Sequence, residues 1–206
     1  MTIGAVAPYG VSGLGRTVQT VVKLGGSLLA HTQQLDAVLQ TIALVSRERG
    51  LLVVPGGGPF ADAVREVDRR IGLPDTTAHW MAVLAMDQYG HVVVSRLRGS
   101  VMVSVPREVT AALENNLLPV LAPSRWLREV DPLPHSWDVT SDSISAWIAG
   151  ALGAARLVLV KPNADAVHGV ELVDPYFPRA LPSRVTSAIV AADQMEALES
   201  ALRGGT

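Results

Sequence analysis

The chain has 206 residues, a formal net charge of −2 and 49% hydrophobic residues, and it contains no cysteine. Its length suits a single domain, and the near-neutral charge excludes a broad basic surface for nucleic acid. The lack of cysteine excludes disulfide bonds and thiolate metal sites. No segment is typical of a signal peptide or a membrane span, so we expect a cytoplasmic globular protein without nucleic-acid or membrane partners.

The first 19 residues are rich in glycine and small side chains, which predicts a flexible leader before one domain at 20–206. Short β-branched runs then predict strands at Thr20–Lys23, Leu51–Pro55, Leu118–Leu121 and Leu157–Lys161. Helical patterns lie at Thr32–Arg49, Phe60–Ile71, Ala78–Tyr89, Val109–Asn115, Ser141–Leu152 and Asp193–Leu202. This alternation predicts an α/β fold, an αβα sandwich of three layers around a mostly parallel central sheet. The prolines between 106 and 134 indicate turns on the substrate side.

The first candidate site follows the first predicted strand. Ligands of parallel α/β sheets bind at the carboxyl ends of strands. The chain has only two lysines against fifteen arginines, and Lys23 ends this strand. Gly25, Gly26 and Ser27 come next, and such a loop lets backbone N–H groups surround phosphate oxygens. An anion-binding loop is favoured over a plain strand–helix connection with a surface lysine.

A second glycine-rich turn follows the strand at Leu51–Pro55. Gly56, Gly57 and Gly58 are consecutive, and glycine loses more backbone entropy on folding than other residues. A backbone-lined pocket for an anion or a substrate explains this cost better than an unusual tight turn.

Two carboxylates mark the start of the helical pattern at Ser141–Leu152. Thr140 or Ser141 can cap this helix. Asp138 and Asp142 lie four positions apart, a spacing that can place both on one side of the first turn. Beside the helix N-terminus Asp142 would stay ionised. It would orient Lys23 or hold Mg²⁺, unless it serves only to stabilise the helix end.

The other lysine, Lys161, ends the strand at Leu157–Lys161. Both lysines of the chain therefore lie at carboxyl ends of predicted strands. This placement indicates one shared anionic ligand, and a surface charge at a strand end is the alternative.

Other common catalytic motifs are missing from the sequence. It contains no GxxxxGK[ST] phosphate loop, no HExxH zinc motif and no GxSxG nucleophile elbow. P-loop chemistry is excluded, and zinc or serine hydrolase chemistry fits poorly.

The order of the four motifs resembles that of the amino acid kinase family. The matching segments, over roughly residues 20–175, are VVKLGGSLL, VVPGGGPFADAV, DVTSDSISAWIAGALGA and LVLVKPNADAVHG…DP. GGGPFADAVREVD, HWMAVLAMDQYG and PHSWDVTSDSISAWIA look like the branch that phosphorylates 5-(aminomethyl)-3-furanmethyl phosphate in methanofuran biosynthesis. The resemblance implies a kinase that uses ATP and Mg²⁺ on a small-molecule phosphate and forms a homodimer or a larger homo-oligomer.

The resemblance also implies a role for each motif. The catalytic set would comprise Lys23, Asp142 and Lys161, with Asp142 organising the lysines. The ATP phosphates would lie against Gly25, Gly26 and Ser27. The acceptor would be bordered by Gly56, Gly57, Gly58 and Asp138. The nucleotide would be lined by Asn163, Asp165, Gly169 and Asp174.

One departure from the family pattern leaves alternatives open. Many relatives carry a second catalytic lysine after the DP pair, whereas no lysine follows Lys161 here. In its place the chain has Arg179 and Arg184. Lys161 would replace the missing lysine from a different backbone position; otherwise transfer would be slow, or Arg179 would serve. The alternatives to the furan phosphate kinase are a non-catalytic nucleotide-binding or sensor protein and a kinase for another small acid or phosphate.

Two further sets of candidates follow from the resemblance. The acceptor phosphate needs a cation, for which the candidates are Arg65, Arg96, Arg98 and His79. An acceptor ammonium group would need a carboxylate such as Asp87. The helix around Trp80–Tyr89 is the predicted face for self-association.

Overall fold

The computed structural model describes residues 16–162 and 172–205, and in this part of the chain helices cover a six-stranded sheet. The strands are β1 (Thr20–Leu24), β2 (Leu51–Pro55), β3 (Ser100–Val103), β4 (Leu118–Leu121), β5 (Arg156–Lys161) and β6 (Thr186–Ala191). The helices are α1 (Thr32–Ser46), α2 (Gly58–Ile71), α3 (Asp75–Arg96), α4 (Pro106–Glu114), α5 (Ser124–Val130), α6 (Ser141–Ala151), α7 (Phe177–Ala180) and α8 (Met195–Arg203). A short 3₁₀ helix, Gly26–Ala30, follows β1.

All six strands are parallel, in the order β3-β4-β2-β1-β5-β6. Alternate residues of the central strands enter two separate hydrophobic cores, so that Val21 belongs to one core and Val22 to the other. One core packs against α4, α5 and α6, and the other packs against α1 and α8. The predicted three-layer α/β fold is confirmed. Strands covered on both faces are continuously apolar, which is why the sequence predicted the central ones.

The sequence missed the elements at the edges of the sheet. β3 and β6 are partly exposed and lack the uninterrupted buried run of the central strands. α5 lies in the segment interpreted as turns, yet it buries Trp126 and Leu127. α3 is much longer than the predicted helix, because its first half packs into one core and its second half into the other. No single apolar stripe therefore marks its full length.

Residues 16–19 of the predicted leader contact the fold. An Arg16 Nη donates to the carbonyl oxygen of Ser46 at 2.8 Å, and Val18 is buried. Residues 1–15 of that leader lie outside the described residues. Within residues 16–162 and 172–205, no helix combines the length and the apolarity that a membrane crossing requires.

The predicted association helix lies within α3. Tyr89 and Met86 are buried inside the chain, whereas Leu84 is 42% exposed. Only the exposed side around Leu84 is open to a partner, and self-association stays a prediction.

The sheet order places a crevice at the carboxyl end of β1. The chain passes from β1 to β2 on one side and reaches β5 on the other side of β1. Ligands of open α/β sheets bind where the strand order reverses in this way. Lys23, Gly56 and Lys161 lie at the carboxyl ends of these three strands.

Candidate active site

Two lysines and one aspartate form a buried ionic cluster at this crevice. Lys23 pairs in register with Leu159, so Lys161, two residues further along β5, leaves the same face of the sheet. Asp142 reaches the lysines from the first turn of α6, which packs on that face. Lys23 Nζ lies 2.7 Å from Asp142 Oδ1, and Lys161 Nζ donates a 2.9 Å hydrogen bond to Oδ2.

The cluster is shielded from solvent but keeps a net positive charge. The side chains of Lys23 and Asp142 are each 6% exposed, and that of Lys161 is 15% exposed. Burial alone would raise the pKa of Asp142, but the two ammonium groups outweigh it and hold that pKa below its ordinary value. Burial and the charge of Lys23 lower the pKa of Lys161, against the opposing effect of Asp142. With all three groups ionised, one positive charge is left to attract an anion.

A second carboxylate fixes the helix that carries Asp142. Thr140 caps α6, and its backbone N–H and hydroxyl donate to Asp174 Oδ2 at 2.9 and 2.7 Å. The backbone N–H of Ser143 donates to the same oxygen at 3.0 Å, and the Ser143 hydroxyl donates to Oδ1. Asp174 is buried, and both of its oxygens accept hydrogen bonds from the N-terminus of α6. Its observed contacts therefore position the helix, and its predicted contact with the nucleotide stays a prediction.

The two glycine loops pack backbone against backbone. Gly56 N–H donates to the carbonyl oxygen of Leu24 at 2.8 Å. A Cβ on Gly26 would lie 2.2 Å from the backbone nitrogen of Gly58, a distance that no real Cβ contact allows. Gly58 itself has a φ of 54°, which favours glycine. The glycines are thus required first for contact between the loops, a reason that the sequence alone did not reveal.

The same loops leave several backbone donors unused. The N–H groups of Gly26, Ser27, Gly57 and Gly58 donate to no acceptor in the described part of the chain. Gly26, Ser27 and Gly58 line an open cleft of about 690 Å³ together with the three ionic residues. α2 begins at Gly58, so the positive end of its helix dipole also points to this region. The cleft therefore offers lysine charges and backbone N–H groups to a phosphorylated ligand.

The remaining predicted residues lie at the margin of the cleft or away from it. Gly25 and Gly56 are buried behind the loop contact, and Gly57 is half-buried. The prediction that Asp138 shares the first turn of the helix with Asp142 is wrong, because α6 begins only at Ser141. Asp138 is exposed and lines neither the cleft nor the cavity beside it. Its contact with the acceptor stays a prediction. Asn163, Asp165 and Gly169 lie outside the described residues.

The structure ranks the cationic candidates for an acceptor phosphate. Arg65 lines the cleft, where its guanidinium also pairs with Asp62 at 2.8 Å. Arg96, which pairs with Asp36 at 2.6 Å, lies away from the cleft and lines a separate cavity together with Arg98. Burial, with a contribution from His135, lowers the pKa of His79 to about 4, so this imidazole is neutral at pH 7.

The arginines proposed in place of a downstream lysine do not reach Asp142. An Arg184 Nη donates to the carbonyl oxygen of Gly150, at the opposite end of α6. Arg179 is exposed and does not line the cleft. Lys161 makes the contact instead, because its position on β5 points it toward the N-terminus of α6.

The predicted carboxylate for an ammonium group is also engaged elsewhere. Asp87 accepts hydrogen bonds from the backbone N–H of Ser124, at 3.2 Å, and from its hydroxyl. It lines neither the cleft nor the cavity beside it. Its observed role is to hold the start of α5.

The carboxylates of the site do not resemble a dedicated metal centre. Residues 16–162 and 172–205 contain no group of three or more His, Asp or Glu side chains that is arranged to hold an ion. Both oxygens of Asp142 face lysine ammonium groups, so of its two predicted roles the observed contacts favour the orientation of lysine over the binding of Mg²⁺.

This site has paired lysines and unused loop N–H groups at the carboxyl edge of a parallel α/β sheet. Such an arrangement is typical of proteins that bind phosphorylated ligands. The sequence profile described as "Amino acid kinase family" matches residues 19–170. The chain therefore belongs to the amino acid kinase family, as predicted, and it is a phosphotransferase. The kinases of this family imply the use of ATP.

Similarity to individual proteins agrees with this assignment. The chain is 30% identical to "[5-(aminomethyl)furan-3-yl]methyl phosphate kinase" of Methanocaldococcus jannaschii over 151 residues, which cover 72% of this chain and 67% of that protein. It is 26% identical to acetylglutamate kinase of Thermosynechococcus vestitus over 201 residues, with 78% of this chain and 66% of that protein covered. The chain thus spans about two thirds of the length of these two relatives.

Two solved structures share the fold. Uridylate kinase from Archaeoglobus fulgidus superposes with a TM-score of 0.67 at 16% identity, covering 92% of this chain and 97% of that one. UMP kinase from Ureaplasma parvum superposes with a TM-score of 0.71 at 13% identity, covering 93% and 97%.

Proposed function

We propose that this protein transfers the γ-phosphoryl group of ATP to the phosphate of [5-(aminomethyl)furan-3-yl]methyl phosphate, forming the diphosphate for methanofuran-type cofactor biosynthesis. The observation that carries the proposal is the Lys23–Asp142–Lys161 cluster, which presents surplus positive charge to the cleft. The Methanocaldococcus jannaschii relative, named for this activity, supports the choice of acceptor.

The described residues suit the charge changes of such a transfer. A bond forms between an acceptor phosphate oxygen and the γ-phosphorus, the bond from that phosphorus to the bridging oxygen breaks, and ADP leaves. The transition state spreads charge over the equatorial oxygens, so positioning and neutralisation supply most of the catalysis. Lys23 and Lys161 would supply that neutralisation, and Asp142 would hold both ammonium groups in place.

The acceptor does not require a general base. A phosphate monoester is already an anion near neutral pH and needs a cation rather than a proton acceptor. Arg65, which lines the cleft, would bind this phosphate. A phosphate acceptor therefore needs no base in the cleft, whereas an alcohol acceptor would need one.

The donor phosphates would bind at the loop between β1 and α1. The unused N–H groups of Gly26, Ser27 and Gly58 line the cleft beside Lys23. Mg²⁺, when bound, would neutralise phosphate charge, and it commonly binds through substrate phosphates and water. This binding mode agrees with the observed contacts of Asp142, whose two oxygens both face lysine ammonium groups.

A non-catalytic nucleotide-binding protein is the main competing function. That alternative depended on the missing downstream lysine. The hydrogen bond from Lys161 to Asp142 weakens it, because a second lysine does reach the carboxylate from β5.

The test is phosphoryl transfer followed by ³¹P NMR. Purified protein, ATP and Mg²⁺ are incubated with the furan phosphate, with isopentenyl phosphate, uridylate and acetylglutamate in parallel. We expect a diphosphate product from the furan phosphate and none from Lys23→Ala. A product from another acceptor alone would reject the proposed substrate. Stabilisation by ATP without any product would favour the non-catalytic alternative.

A matched pair of arginine variants tests the acceptor site. Arg65→Gln is expected to raise KM for the acceptor at least tenfold, because a charge-assisted hydrogen bond to phosphate contributes about 1.5–3 kcal/mol. Arg96→Gln removes the same charge from an arginine that pairs with Asp36 and should leave KM unchanged. Equal effects of the two variants would exclude a specific role for Arg65.

A further inference from the structure

A second, smaller cavity adjoins the cleft. It lies between α2, α3 and the segment 136–141 and has a volume of about 50 Å³. Arg65, Thr140 and Ser141 line both the cavity and the cleft. A ligand whose phosphate lies at this shared wall can therefore extend its other end into the cavity. Since a buried water needs roughly 10–15 Å³, the cavity exceeds the needs of one water several-fold, and its scale is that of a small ring rather than of a nucleoside.

His79 is an unpartnered polar group in this cavity. It is only 8% exposed, and neither of its ring nitrogens has a hydrogen-bond partner within the described residues. Its ring stacks on His135 with centroids 4.4 Å apart and meets Trp80 edge-on at 5.0 Å. A neutral imidazole offers one donor and one acceptor nitrogen. His79 lines the cavity, so a ligand there can form hydrogen bonds with its ring nitrogens.

The neighbouring histidine shows that this lack of partners is specific to His79. His135 bonds to the Thr76 hydroxyl through Nδ1 at 3.0 Å and to Asp131 through Nε2 at 2.8 Å. Both nitrogens of His135 are therefore used inside the protein, and His135 serves as a fixed surface on which the ring of His79 is held.

The rest of the cavity combines an aromatic wall with a carboxylate. Trp137 is held by a 2.7 Å hydrogen bond from its indole N–H to Asp68, and the Arg65 guanidinium lies 5.0 Å from the centre of its ring. Asp75, the first residue of α3, also lines the cavity and forms no ion pair in the described part of the chain. It is the acidic side chain among the lining residues.

We propose that this cavity is the acceptor-specificity pocket, which takes a small flat ring bearing an ammonium group, with Asp75 as the counter-charge and His79 as a hydrogen-bond partner. The inference rests on the proposed function, since the phosphate at the shared wall is the one that would be phosphorylated. A nucleoside is too large for the pocket, and an isoprenoid phosphate lacks the ammonium group that Asp75 would recognise.

The test compares two phosphates that differ only in the charged group. [5-(Aminomethyl)furan-3-yl]methyl phosphate and (5-methylfuran-3-yl)methyl phosphate are titrated calorimetrically into the full chain without ATP. We expect the wild type to prefer the ammonium compound about fivefold, the upper range for a partly exposed ion pair. Asp75→Asn should abolish the preference, and Asp75→Glu should restore part of it.

Two further variants sharpen the comparison. Asp193→Asn removes an exposed carboxylate that lines neither cavity and should keep the preference. His79→Phe keeps an aromatic ring on His135 but has no nitrogen, and it should weaken binding of the ammonium compound about fivefold. An unchanged preference in Asp75→Asn, or no binding of either compound to the wild type, would overturn the pocket.

Phosphoryl transfer to both compounds is measured separately, so that the two proposals fail independently. Binding that depends on Asp75 without any transfer would reject the proposed function and leave the pocket intact. Equal transfer to both compounds, unaffected by Asp75→Asn, would reject the pocket and leave the kinase function intact.

Discussion

Replacement of Asp142 by Asn is the sharpest test of the ionic cluster, because it removes the negative charge and keeps the shape. The carboxylate lies 2.7 Å from one ammonium group and 2.9 Å from the other. At an effective dielectric constant of 20, each such pair attracts by about 4 kcal/mol or more, and burial of the three ions offsets much of this. In the variant, two neighbouring ammonium groups would lose their shared counter-ion.

We expect Asp142→Asn to lower the free energy of unfolding by about 3 kcal/mol. Loss of one partner from a buried ion pair costs about 3–5 kcal/mol, and the lower end applies because the lysines border an open cleft that water can enter. The assay is urea unfolding at pH 7, analysed for both the midpoint and the m-value. Asp138→Asn is the matched control, since Asp138 is exposed and should change stability by no more than about 0.5 kcal/mol.

The pH dependence gives the same prediction a second readout. The folded-state pKa of Asp142 lies below its ordinary value of 3.8. The carboxylate therefore contributes its full stabilisation above about pH 4, and this contribution is lost as the pH falls through the lower, folded-state value. The stability difference between wild type and Asp142→Asn should be constant from pH 7 to about 4 and shrink below that. A variant as stable as wild type at pH 7, with an equal m-value, would refute the ionic account of the cluster.

Two further substitutions test the second lysine and the loop contact. The pKa of Lys161 lies below its ordinary value of 10.5, so as the pH rises the side chain loses its proton before pH 10.5 is reached, and kcat/KM should fall there. Lys161→Arg should move this fall to higher pH, because arginine stays protonated above pH 12. An alkaline limb at the same pH in both proteins would contradict this assignment. Gly26→Ala should lower the free energy of unfolding by about 1–3 kcal/mol, since its Cβ would meet the backbone of Gly58. The control is Gly90→Ala in α3, because the added Cβ would first meet the flexible side chain of Met102. Equal stability of the two variants in urea unfolding would argue against the loop contact.

The sequence could predict those residues of the candidate site that lie at the carboxyl ends of strands. Lys23 and Lys161 end buried apolar runs, and the register of parallel β1 and β5 brings them to one face of the sheet. Asp142 was a candidate because it follows a capping threonine at the start of a helix. The family resemblance implied that Asp142 organises the lysines, but the pairing of one carboxylate with both Lys23 and Lys161 depends on how α6 packs over the sheet.

The roles of the arginines and of the other carboxylates required tertiary information. Arg65 and Arg96 are both exposed helical arginines, each paired with an aspartate, and only the folded chain shows that Arg65 lies at the cleft and Arg96 does not. The contact of Asp174 with the nucleotide stays a prediction, and only the folded chain shows that its partners are Thr140 and Ser143. Asp87 was proposed for an ammonium group, but it holds the start of α5.

The sequence by itself determined the class of fold and the family, and it singled out the two lysines and the aspartate that meet at the candidate site. It could do so because buried parallel strands are continuously apolar and because ligand-binding residues follow such strands directly along the chain. Only the tertiary structure decided which lysine completes the cluster, why the glycines are required and where the cavity with Asp75 and His79 lies. These features depend on contacts between segments far apart in the chain, and their distances and burial are fixed only when the helices pack onto the sheet.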